Sequence, residues 1–542
     1  MTQPAIRAHR PLVMGRNGAV ASNHPVATQA GLDVLRAGGN AVDAALATAL
    51  TLGVVEPHMS GLGGDGFYHV LDGRSGRSTV FNGTGTAAAA ATAEFYRARA
   101  DGIPNFGALS TSVPGSVAGL AAMHARFGAR PWSALFGAAV EAARDGFAAT
   151  HGYRHFAGEN RHRLRPDARS AATFLGADGA PPALGDLVTQ PDLARTLEAL
   201  AAGGAAAFYE GAIARRMAAG LAAAGGLVTA DDLARCRAEE AAPISVSYRG
   251  YEVRQTPPNS TGFTMLQMLK IVERSDLAAL GWGSAALVHR LVEAKKLAFL
   301  DRERHGADPA GRAIPLDRLL SDAHADRLAA MIDPERAADR PVKGARAEGD
   351  TTYFCVVDRD GNAVSAIQSI NSAFGSGVTA GDTGILMNNR MCYWHLDPGH
   401  ANELTPGRRV RHTMNAPFVL KDGRLWAVLG TPGADNQVQV NLQVLVAMID
   451  FGLDPQQAVE APRWSSSQAG QEANHPHGGD GSLTLESRFP AETVEGLRAL
   501  GHSVKAVGPL EGPCSVEAIR VLDNGIRMAA SDPRRDGWAG AY

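Results

Sequence analysis

The sequence predicts a large protein of the α+β class, in which a helix-rich first half is followed by strands. Residues 25–37 and the residues after Asn40 carry apolar side chains at helical spacing. Residues 352–357 and 363–370 are rich in β-branched and apolar side chains and flank a turn. A chain of 542 residues is too long to fold around one compact core. We therefore expect two or more packed units, or one large layered domain.

The ends of the first helices are set by recognisable residues. The first helix begins at Pro25 and stops at the Gly38–Gly39 pair, because glycine readily adopts the backbone conformation that closes a helix. Asn40 caps the second helix, with Asp43 placed three residues later. A further helix begins at Ser284, and its predicted buried stripe comprises Leu287, Leu291, Ala294 and Ala298.

The composition argues against several classes of partner. The net charge is −3 and the isoelectric point is about 6.6. Neither a basic surplus typical of nucleic-acid binding nor a polybasic run typical of membrane surfaces is present. No apolar run reaches the length of about 18 residues that a membrane span needs, and Pro4, Arg7 and Pro11 interrupt any secretory signal. We expect a cytoplasmic protein without nucleic-acid or membrane partners.

The cysteines indicate neither a disulfide framework nor a zinc site. Cys236, Cys355, Cys392 and Cys514 are far apart and show no CxxC spacing. Free thiols are typical of a reducing cytoplasm. No cluster of histidine and carboxylate residues with metal-ligand spacing stands out, so we expect no metal and no cofactor.

The segment 335–350 differs from the rest of the chain. It is polar, charged and almost free of large apolar residues, which predicts an exposed linker. Strand character begins directly after it, and the turn 358–362 separates the two strand-like runs. Two such runs around an Asp/Gly/Asn turn predict a β-hairpin.

The predicted hairpin register brings three polar side chains together. If Val357 pairs with Ala363, Thr351 lies opposite Ser369, and antiparallel partners have Cβ atoms about 4.5–5.5 Å apart. Asn371 lies two residues further on, so it projects from the same face. A slip of one residue would separate these groups. Taken alone, a Thr-Thr pair opening a strand is also typical of plain β-branched propensity, so the rest of the chain must decide.

The segment GDTTYFCVVDRDGNAVS (349–365), which contains the hairpin, is one of a series that points to a known family. The others, in chain order, are HPVATQAGLDVLRAGGNAVDAALA (24–47), VVEPHMSGLGGDGF (54–67), LSTSVPGSVAGL (109–120), PPNSTGFTMLQML (257–269), EAKKLAFLDRERHGADP (293–309), SINSAFGSGVTAGDTGILMNNRM (369–391), LGTPGADNQ (429–437), EAPRW (460–464) and SDPRRDGWAGAY (531–542). Together they resemble the γ-glutamyltransferase family, over nearly the whole chain and in the family's order.

The resemblance implies a fold and a maturation step. The fold is the αββα four-layer sandwich of the N-terminal-nucleophile (Ntn) hydrolases, with two central sheets between helical layers. The family's precursor cuts itself just before the first threonine of a Thr-Thr pair. Here that bond joins Asp350 to Thr351. Cleavage would give a large, helix-rich subunit, 1–350, and a small subunit, 351–542, with Thr351 at its N-terminus.

The resemblance also implies catalytic roles. A threonine hydroxyl needs an adjacent base, and the free α-amino group of Thr351, with an ordinary pKa of about 8, suits that task. Ser369 matches the family hydroxyl that holds this amine, and Asn371 matches an asparagine that orients nucleophile and ligand. The family's oxyanion donors are N–H groups of a Pro-Gly-Gly turn, which correspond to Gly433 and Ala434.

The substrate-binding positions depart from the family pattern. The arginine that clamps the substrate α-carboxylate is replaced by Thr84, and the aspartate that receives the α-amine is replaced by Tyr393. A serine pair is replaced by His412 and Thr413. Arg390 stands where the family has a neutral amide residue. It is either a surface arginine or a carboxylate binder delivered from another side.

The loop Gly61-Leu-Gly-Gly-Asp65 resembles a phosphate loop only superficially. It lacks the lysine and hydroxyl residue of a P-loop and the spacing of a dinucleotide fingerprint. We interpret it as close backbone packing beside the active site. Asp65 and Asp382 are expected to be structural rather than acid/base residues.

Two classes of function follow from these observations. The first is a self-processing amidohydrolase acting on a small carboxylate-bearing amide, with oxamate or a glutaryl-type amide favoured over glutathione and a cephalosporin-type acylase left open. Its alternative within the family is a glutathione hydrolase or γ-glutamyltransferase, although no acceptor site for transfer is recognisable. The second class is a non-catalytic ligand-binding member, which predicts loss of the nucleophile, its hydroxyl partner or the oxyanion turn. The expected partners are the small amide and the two subunits of one precursor, and a higher oligomer stays open.

Overall fold

The computed structural model describes residues 8–340, 350–471 and 473–542, and for Asp350 the backbone alone. The strands are β1 Val13–Gly15, β2 Ala19–Ser22, β3 Asp65–Leu71, β4 Ser78–Gly83, β5 Phe147–Ala148, β6 Leu187–Val188, β7 Glu239–Ala241, β8 Ile244–Tyr248, β9 Tyr251–Gln255, β10 Asp350–Val357, β11 Ala363–Asn371, β12 Phe418–Lys421, β13 Arg424–Gly430, β14 Trp464–Ser466, β15 Leu483–Glu486, β16 Val504–Val507, β17 Glu517–Val521, β18 Arg527–Ser531 and β19 Trp538–Ala541.

The α-helices are α1 Pro25–Arg36, α2 Ala41–Val55, α3 Ala93–Arg97, α4 Ser116–Phe127, α5 Gly137–Asp145, α6 His151–Glu159, α7 Arg161–Leu164, α8 Ala168–Phe174, α9 Pro191–Tyr209, α10 Ala212–Ala223, α11 Ala230–Ala234, α12 Gly262–Val272, α13 Leu277–Leu280, α14 Ala285–His305, α15 Leu316–Leu319, α16 Asp322–Ala329, α17 Asn436–Ile449, α18 Pro455–Glu460 and α19 Ala491–Ala499. Short 3₁₀ helices span Ala108–Ser110, Trp132–Leu135, Gly381–Thr383 and Arg390–Tyr393.

Two seven-stranded sheets form the centre of the molecule. Sheet 1 has the strand order β1-β18-β17-β13-β12-β9-β8, and sheet 2 has the order β19-β2-β10-β11-β3-β4-β7. Their facing sides bury one shared apolar layer, in which Phe67 and Tyr353 of sheet 2 meet Phe418 and Ile519 of sheet 1. Helices cover both outer faces, so the layers run αββα and the predicted four-layer sandwich is confirmed.

Strand β10 shows why the central strands are apolar throughout. Tyr353 and Cys355 belong to the layer between the sheets, whereas Phe354 and Val356 belong to the layer beneath the helices. Successive strand residues point to opposite faces, and here both faces are buried. Such strands are continuously apolar rather than alternating.

The helix ends follow the sequence signals. α1 ends after Arg36, and Gly38, with a φ of +86°, donates its N–H to the Leu35 carbonyl. The Asn40 side chain accepts from the N–H groups of Val42 and Asp43, and the Asp43 carboxylate accepts from the Asn40 N–H, which completes a capping box. The α14 stripe predicted from Ser284 onward is buried. These predictions are confirmed.

The β10–β11 hairpin has the predicted register over most of its length. Val357 pairs with Ala363, and the same register continues to the pair Thr352–Gln368. The Asp358 carboxylate accepts the N–H groups of Asp360 and Asn362, at 2.9 and 3.0 Å, and so fixes the turn. Between Thr352 and Asp350 the register shifts by one residue. The irregularity therefore falls at Thr351.

The segment predicted as an exposed linker is anchored where the structure describes it. The Ala337 N–H donates to the Leu500 carbonyl at 2.7 Å, and the Arg340 carbonyl accepts from Gln468 Nε2 at 2.7 Å. Glu335 is exposed. Residues 341–349, the remainder of the predicted linker before Asp350, lie outside the described residues, as do residues 1–7 of the N-terminus.

The four cysteines are buried free thiols, as the spacing predicted. Among the described residues, no helix combines the length and the apolar character that crossing a bilayer requires.

Candidate active site

Thr351 lies at the start of a central strand, with its side chain buried against the neighbouring strand. Its residue exposure is 2%. Thr351 Oγ1 donates to Ser369 Oγ at 3.2 Å, and Ser369 Oγ accepts the Asn371 N–H at 2.8 Å. The contact that the hairpin register predicted is therefore present, although it forms at the irregularity rather than within a regular ladder. We call these three residues, which include the nucleophile predicted from the sequence, the nucleophile hairpin.

Asn371 ends β11 in an uncommon backbone conformation. Its φ is +82°, a region that asparagine enters more readily than most side chains. Its Nδ2 donates to the Asn389 carbonyl at 3.2 Å and to Asn474 Oδ1 at 3.0 Å. These contacts fix the side-chain amide beside the threonine–serine pair.

The second threonine of the pair is held from the helical layer. Thr352 Oγ1 donates to Glu56 Oε2 at 2.6 Å and accepts from Asn23 Nδ2 at 3.1 Å. Glu56 directly follows α2 and is buried. Sequence reasoning did not assign Glu56 or Asn23, although a carboxylate within the apolar run VVEPHM was an available signal.

The glycine loop before β3 packs against the nucleophile hairpin. A Cβ atom on Gly64 would lie 2.4 Å from the Ser369 carbonyl oxygen, and one on Gly63 would lie 2.2 Å from the Leu386 carbonyl oxygen. Only glycine allows this approach. The predicted close backbone packing of this loop is confirmed, and Asp65 at its end pairs with Ser369 across β3 and β11.

Arg390 is buried beside this loop, so the interpretation as a surface arginine is wrong. Its exposure is 1%. Nε lies 3.3 Å from Asp65 Oδ2, Nη1 donates to Asn371 Oδ1 at 3.3 Å, and the guanidinium stacks on the Tyr393 ring at 4.5 Å. Asp65 thus balances a buried cation, and its predicted structural role stays a prediction. Asp382, by contrast, is exposed and pairs with Arg216.

Asp65, Arg390, Tyr393, His412 and Thr413 form a buried cluster of polar side chains, for which we use the name pocket wall. His412 Nε2 lies 3.6 Å from Asp65 Oδ2, and the Tyr393 hydroxyl lies 3.0 Å from Thr413 Oγ1. Four of the sequence-selected substrate positions are therefore neighbours, although they come from two separate segments.

The electrostatics of the pocket wall are set by burial. Burial raises the pKa of Asp65, and the Arg390 guanidinium opposes that rise. Burial, together with the nearby guanidinium of Arg390, holds the pKa of His412 well below its ordinary value, so its imidazole is neutral near pH 7. Among the described residues, neither ring nitrogen of His412 nor Arg390 Nη2 has a hydrogen-bond partner. Buried donors without partners are costly, and they suit an anionic ligand.

Thr84 is adjacent to this wall, but its hydroxyl is already engaged. Thr84 Oγ1 donates to Asn82 Oδ1 at 2.7 Å and accepts from Asn259 Nδ2 at 3.2 Å. The next residue, Gly85, donates its N–H to Asp65 Oδ1 at 2.7 Å. The structure therefore places Thr84 next to the residue that holds Asp65, with its hydroxyl bound to Asn82 and Asn259.

The 432–434 turn, Pro432-Gly433-Ala434, follows β13 at the end of the sandwich where β10 begins. A Cβ on Gly430 would lie 2.2 Å from the Tyr353 ring, which places the end of β13 directly over the start of β10. Gly433 and Ala434 have φ values of +112° and +47°. A Cβ on Gly433 would meet Cys514 Sγ at 2.3 Å, so this position requires glycine.

A group of metal-ligand side chains joins α14 to the segment between α19 and β16. It comprises His289, Glu293 and His502. His289 Nε2 lies 2.7 Å from the Asp333 carbonyl, which only accepts, so the proton is on Nε2 and His289 Nδ1 accepts from His502 at 2.8 Å. Glu293 pairs with Lys296 at 2.7 Å. The group is held by protein contacts, and we assign no ion to it.

A second such group comprises Glu303, His395 and His400. His400 Nδ1 accepts the Asn402 N–H at 3.0 Å, which leaves the proton on Nε2, facing Glu303 at 3.7 Å. A protonated nitrogen offers no lone pair to a metal. Glu303 is moreover paired with Arg411 at 3.1 Å. Sequence inspection identified neither group, because each contains a member from a distant segment of the chain, His502 in the first and Glu303 in the second.

The αββα layers, with a threonine opening a central strand against a serine, place the protein among the Ntn hydrolases. The chain matches the gamma-glutamyltranspeptidase family model over residues 27–542 and belongs to that family. It is 39% identical to the glutathione hydrolase-like YwrD proenzyme of Bacillus subtilis, over 97% of this chain and 99% of that protein. It is 36% identical to the oxamate amidohydrolase proenzyme of Klebsiella pneumoniae, over 97% and 98%.

A solved structure agrees with these relatives. The cephalosporin acylase from Bacillus halodurans superimposes with a TM-score of 0.91 at 33% identity, covering 100% of this chain and 99% of that chain. The protein is thus an amidohydrolase of this family, and its relatives from Bacillus subtilis and Klebsiella pneumoniae are proenzymes.

Proposed function

We propose that Thr351 is the nucleophile of both maturation and turnover, and that the substrate is a small amide carrying a carboxylate. Oxamate and glutaryl-type amides are favoured over glutathione. The observation that carries the substrate class is the buried guanidinium of Arg390. Its Nη1 donates to Asn371 Oδ1, next to the threonine–serine pair, and its Nη2 has no hydrogen-bond partner among the described residues.

In maturation, the Thr351 hydroxyl attacks the Asp350 carbonyl. The C–N bond of the Asp350–Thr351 peptide breaks, an ester to Thr351 Oγ1 replaces it, and water hydrolyses the ester. The products are a carboxylate on Asp350 and a free α-amine on Thr351. The 3.2 Å contact of Oγ1 with Ser369 supports this step, because it holds the hydroxyl in one rotamer.

In turnover, the free amine of Thr351 acts as the base. It accepts the hydroxyl proton while Oγ1 attacks the substrate carbonyl, and the proton then passes to the leaving amine. The N–H groups of Gly433 and Ala434 are proposed as donors to the tetrahedral oxyanion. Water hydrolyses the acyl-threonine ester. Ser369 holds the amine, and Asn371 orients the threonine and the substrate.

Recognition of the acid end is assigned to the pocket wall. A substrate carboxylate would accept from Arg390 Nη2, and the neutral imidazole of His412 is a second group without a partner. Tyr393 and Thr413 hydrogen-bond one another, and Thr84 is engaged by Asn82 and Asn259. None of these three carries the charge needed to read the α-amino acid head of a γ-glutamyl group.

A substrate panel tests the proposal. We expect the wild type to release 4-nitroaniline from glutaryl-4-nitroanilide, or ammonia from oxamate, with a much higher kcat/KM than it shows for L-γ-glutamyl-4-nitroanilide. Asp65 remains a carboxylate near the pocket, so the γ-glutamyl anilide is the informative competitor. Preference for that compound would favour a glutathione hydrolase instead.

The non-catalytic alternative is tested on a denaturing gel. Two fragments of the sizes of 1–350 and 351–542, with threonine as the N-terminal residue of the smaller one, support the enzyme. A single full-length band with ligand binding would support the binding protein.

A further inference from the structure

A chain of four buried charges runs from the 432–434 turn to the pocket wall. Asp435, which directly follows the turn, contacts Arg302 Nη1. Arg302 Nη2 lies 2.9 Å from Glu303 Oε1, and Arg411 Nη2 lies 3.1 Å from the same oxygen. Negative and positive side chains alternate along this row of four, and the side-chain exposures lie between 2% and 10%. Two adjacent residues of α14 thus connect two parts of the proposed active site.

At one end of this row of charges, Asp435 directly follows the 432–434 turn. Asp435 is the last residue before α17, and its carbonyl accepts from Gln439 Nε2 at 3.1 Å. Gly433 and Ala434 lie in the positive-φ region just before it, which for alanine costs of order 1 kcal/mol or more. A strained turn needs outside contacts to stay in place, and the ion pair of Arg302 with Asp435 is the charged contact at its end.

At the other end of the row, Arg411 adjoins the pocket wall. Arg411 directly precedes His412 and Thr413. Its N–H donates to Asn402 Oδ1 at 2.8 Å, and its side chain packs on Gly306, where a Cβ would lie 2.6 Å from Arg411 Cδ. The position of Arg411 is therefore fixed both by its backbone and by Glu303.

The two central residues, Arg302 and Glu303, are held in place by neighbouring charges and by packing. Burial alone would raise the pKa of Glu303, but the guanidiniums of Arg411 and Arg302 outweigh it and hold that pKa well below its usual range. Arg302 also stacks on Phe299 at 4.2 Å. Removing one member of such a buried set leaves its partner uncompensated, so the four charges act as a unit.

We infer that Arg302 and Glu303 are positioning residues that hold the 432–434 turn at a fixed distance from the pocket wall. The inference rests on the proposed function, since it assigns the N–H groups of Gly433 and Ala434 to the oxyanion. Neither residue touches the substrate. Their effect is to keep the oxyanion donors and the carboxylate-binding guanidinium of Arg390 in register, so that one substrate reaches both.

The test compares Arg302→Met and Glu303→Gln with a matched control, Asp301→Asn. Asp301 precedes Arg302 in α14 and is equally buried, but it contacts Gln267 and His324 instead. Glutaryl-4-nitroanilide is the probe, and rates are expressed per cleaved molecule. Because a misplacement of about 1 Å can cost about 100-fold in rate, we expect kcat to fall about 10- to 100-fold in both variants, with KM and the control nearly unchanged.

Glu303→Gln keeps the inference testable if Arg302→Met fails to fold, because it preserves size and removes one charge. A double variant, Asp435→Asn with Glu303→Gln, adds a coupling measurement. Losses in kcat smaller than the product of the single losses would show that the charges act as one unit.

The outcomes separate this inference from the proposed function. A wild type that neither cuts itself nor hydrolyses any acid amide defeats the proposed function. An active wild type whose Arg302 and Glu303 variants match Asp301→Asn in kcat, or lose affinity alone, defeats the positioning role and leaves Thr351 as nucleophile.

Discussion

The nucleophile hairpin and the pocket wall are both buried and polar, but they are assembled in different ways. In the hairpin, Thr351 and Ser369 meet because two strands of one hairpin share a register. In the pocket wall, Asp65 and Arg390 meet although 325 positions separate them in sequence. The first arrangement is local and tolerates few alternatives. The second depends on packing of the whole sandwich, and under the proposed function it is where substrate preference can change while Thr351 and Ser369 stay the same.

The largest expected effect removes the nucleophile. Thr351→Ala should abolish both self-cleavage and amidase activity, because one hydroxyl serves both reactions. Thr351→Ser should keep partial activity, since it retains the hydroxyl and the amine. A gel and a 4-nitroaniline assay measure the two steps. Cleaved, active Thr351→Ala protein would remove the hairpin from the mechanism altogether.

The next largest effect is expected for Ser369, where a change in kcat can be told from a change in KM. Ser369→Ala should lower kcat by roughly 10²-fold, the lower end for a group that supports acid–base catalysis, with a smaller change in KM. Ser365→Ala is the control, because it removes a buried hydroxyl from the same strand that bonds instead to Tyr353. A change confined to KM would show that Ser369 acts on the substrate rather than on Thr351.

The pocket wall is probed by Arg390→Ala. We expect it to weaken binding of the acid amide by about 1.5–3 kcal/mol, the usual range for a hydrogen bond to a charged group, and to leave self-cleavage intact. Arg216→Ala, which breaks the exposed pair with Asp382, is the control for loss of an arginine.

Removing Arg390 also leaves Asp65 buried without its cation. The double variant Arg390→Ala with Asp65→Asn therefore checks that weakened binding is not general destabilisation. Unchanged KM in both variants would place the carboxylate site elsewhere.

The smallest effect concerns acid stability of the pocket wall. The native pKa of His412 lies well below its ordinary value of 6.5 because of burial and the nearby guanidinium of Arg390. As the pH falls, the imidazole of His412 is therefore protonated in the unfolded chain before it is protonated in the folded protein. The free energy of unfolding consequently decreases as the pH falls below 6.5. His412→Asn should lose less stability over that range, by at most about 1.4 kcal/mol per pH unit. Melting curves between pH 7 and 5 measure it, and parallel slopes would contradict it.

The local features of the fold could be predicted from sequence because their causes are local. The capping box of Asn40 and Asp43 requires only a spacing of three residues. The hairpin register follows from the turn held by Asp358. The one-residue shift at Thr351 could not be foreseen, because it arises where β11 ends in the positive-φ conformation of Asn371.

The pocket wall could be predicted only in part. The resemblance selected Arg390, Tyr393 and His412 as positions, but their contacts depend on which buried charge faces them. Asp65 was assigned a structural role, and nothing in its own segment indicates an arginine 325 positions later. The same holds for Arg302 and Asp435, whose pairing requires α14 and the 432–434 turn to meet through the tertiary fold.

Both sheets contain strands from the two sides of the Asp350–Thr351 bond, and this decides how many molecules unfolding releases. β10 pairs with β2, β11 with β3 and β12 with β9, so each sheet contains strands from both sides of the Asp350–Thr351 bond, hydrogen-bonded to one another. A cut at this bond leaves two chains that separate only when the sheets come apart. Unfolding then releases two molecules instead of one, and the melting temperature of the processed enzyme rises with protein concentration, whereas that of the uncut precursor does not.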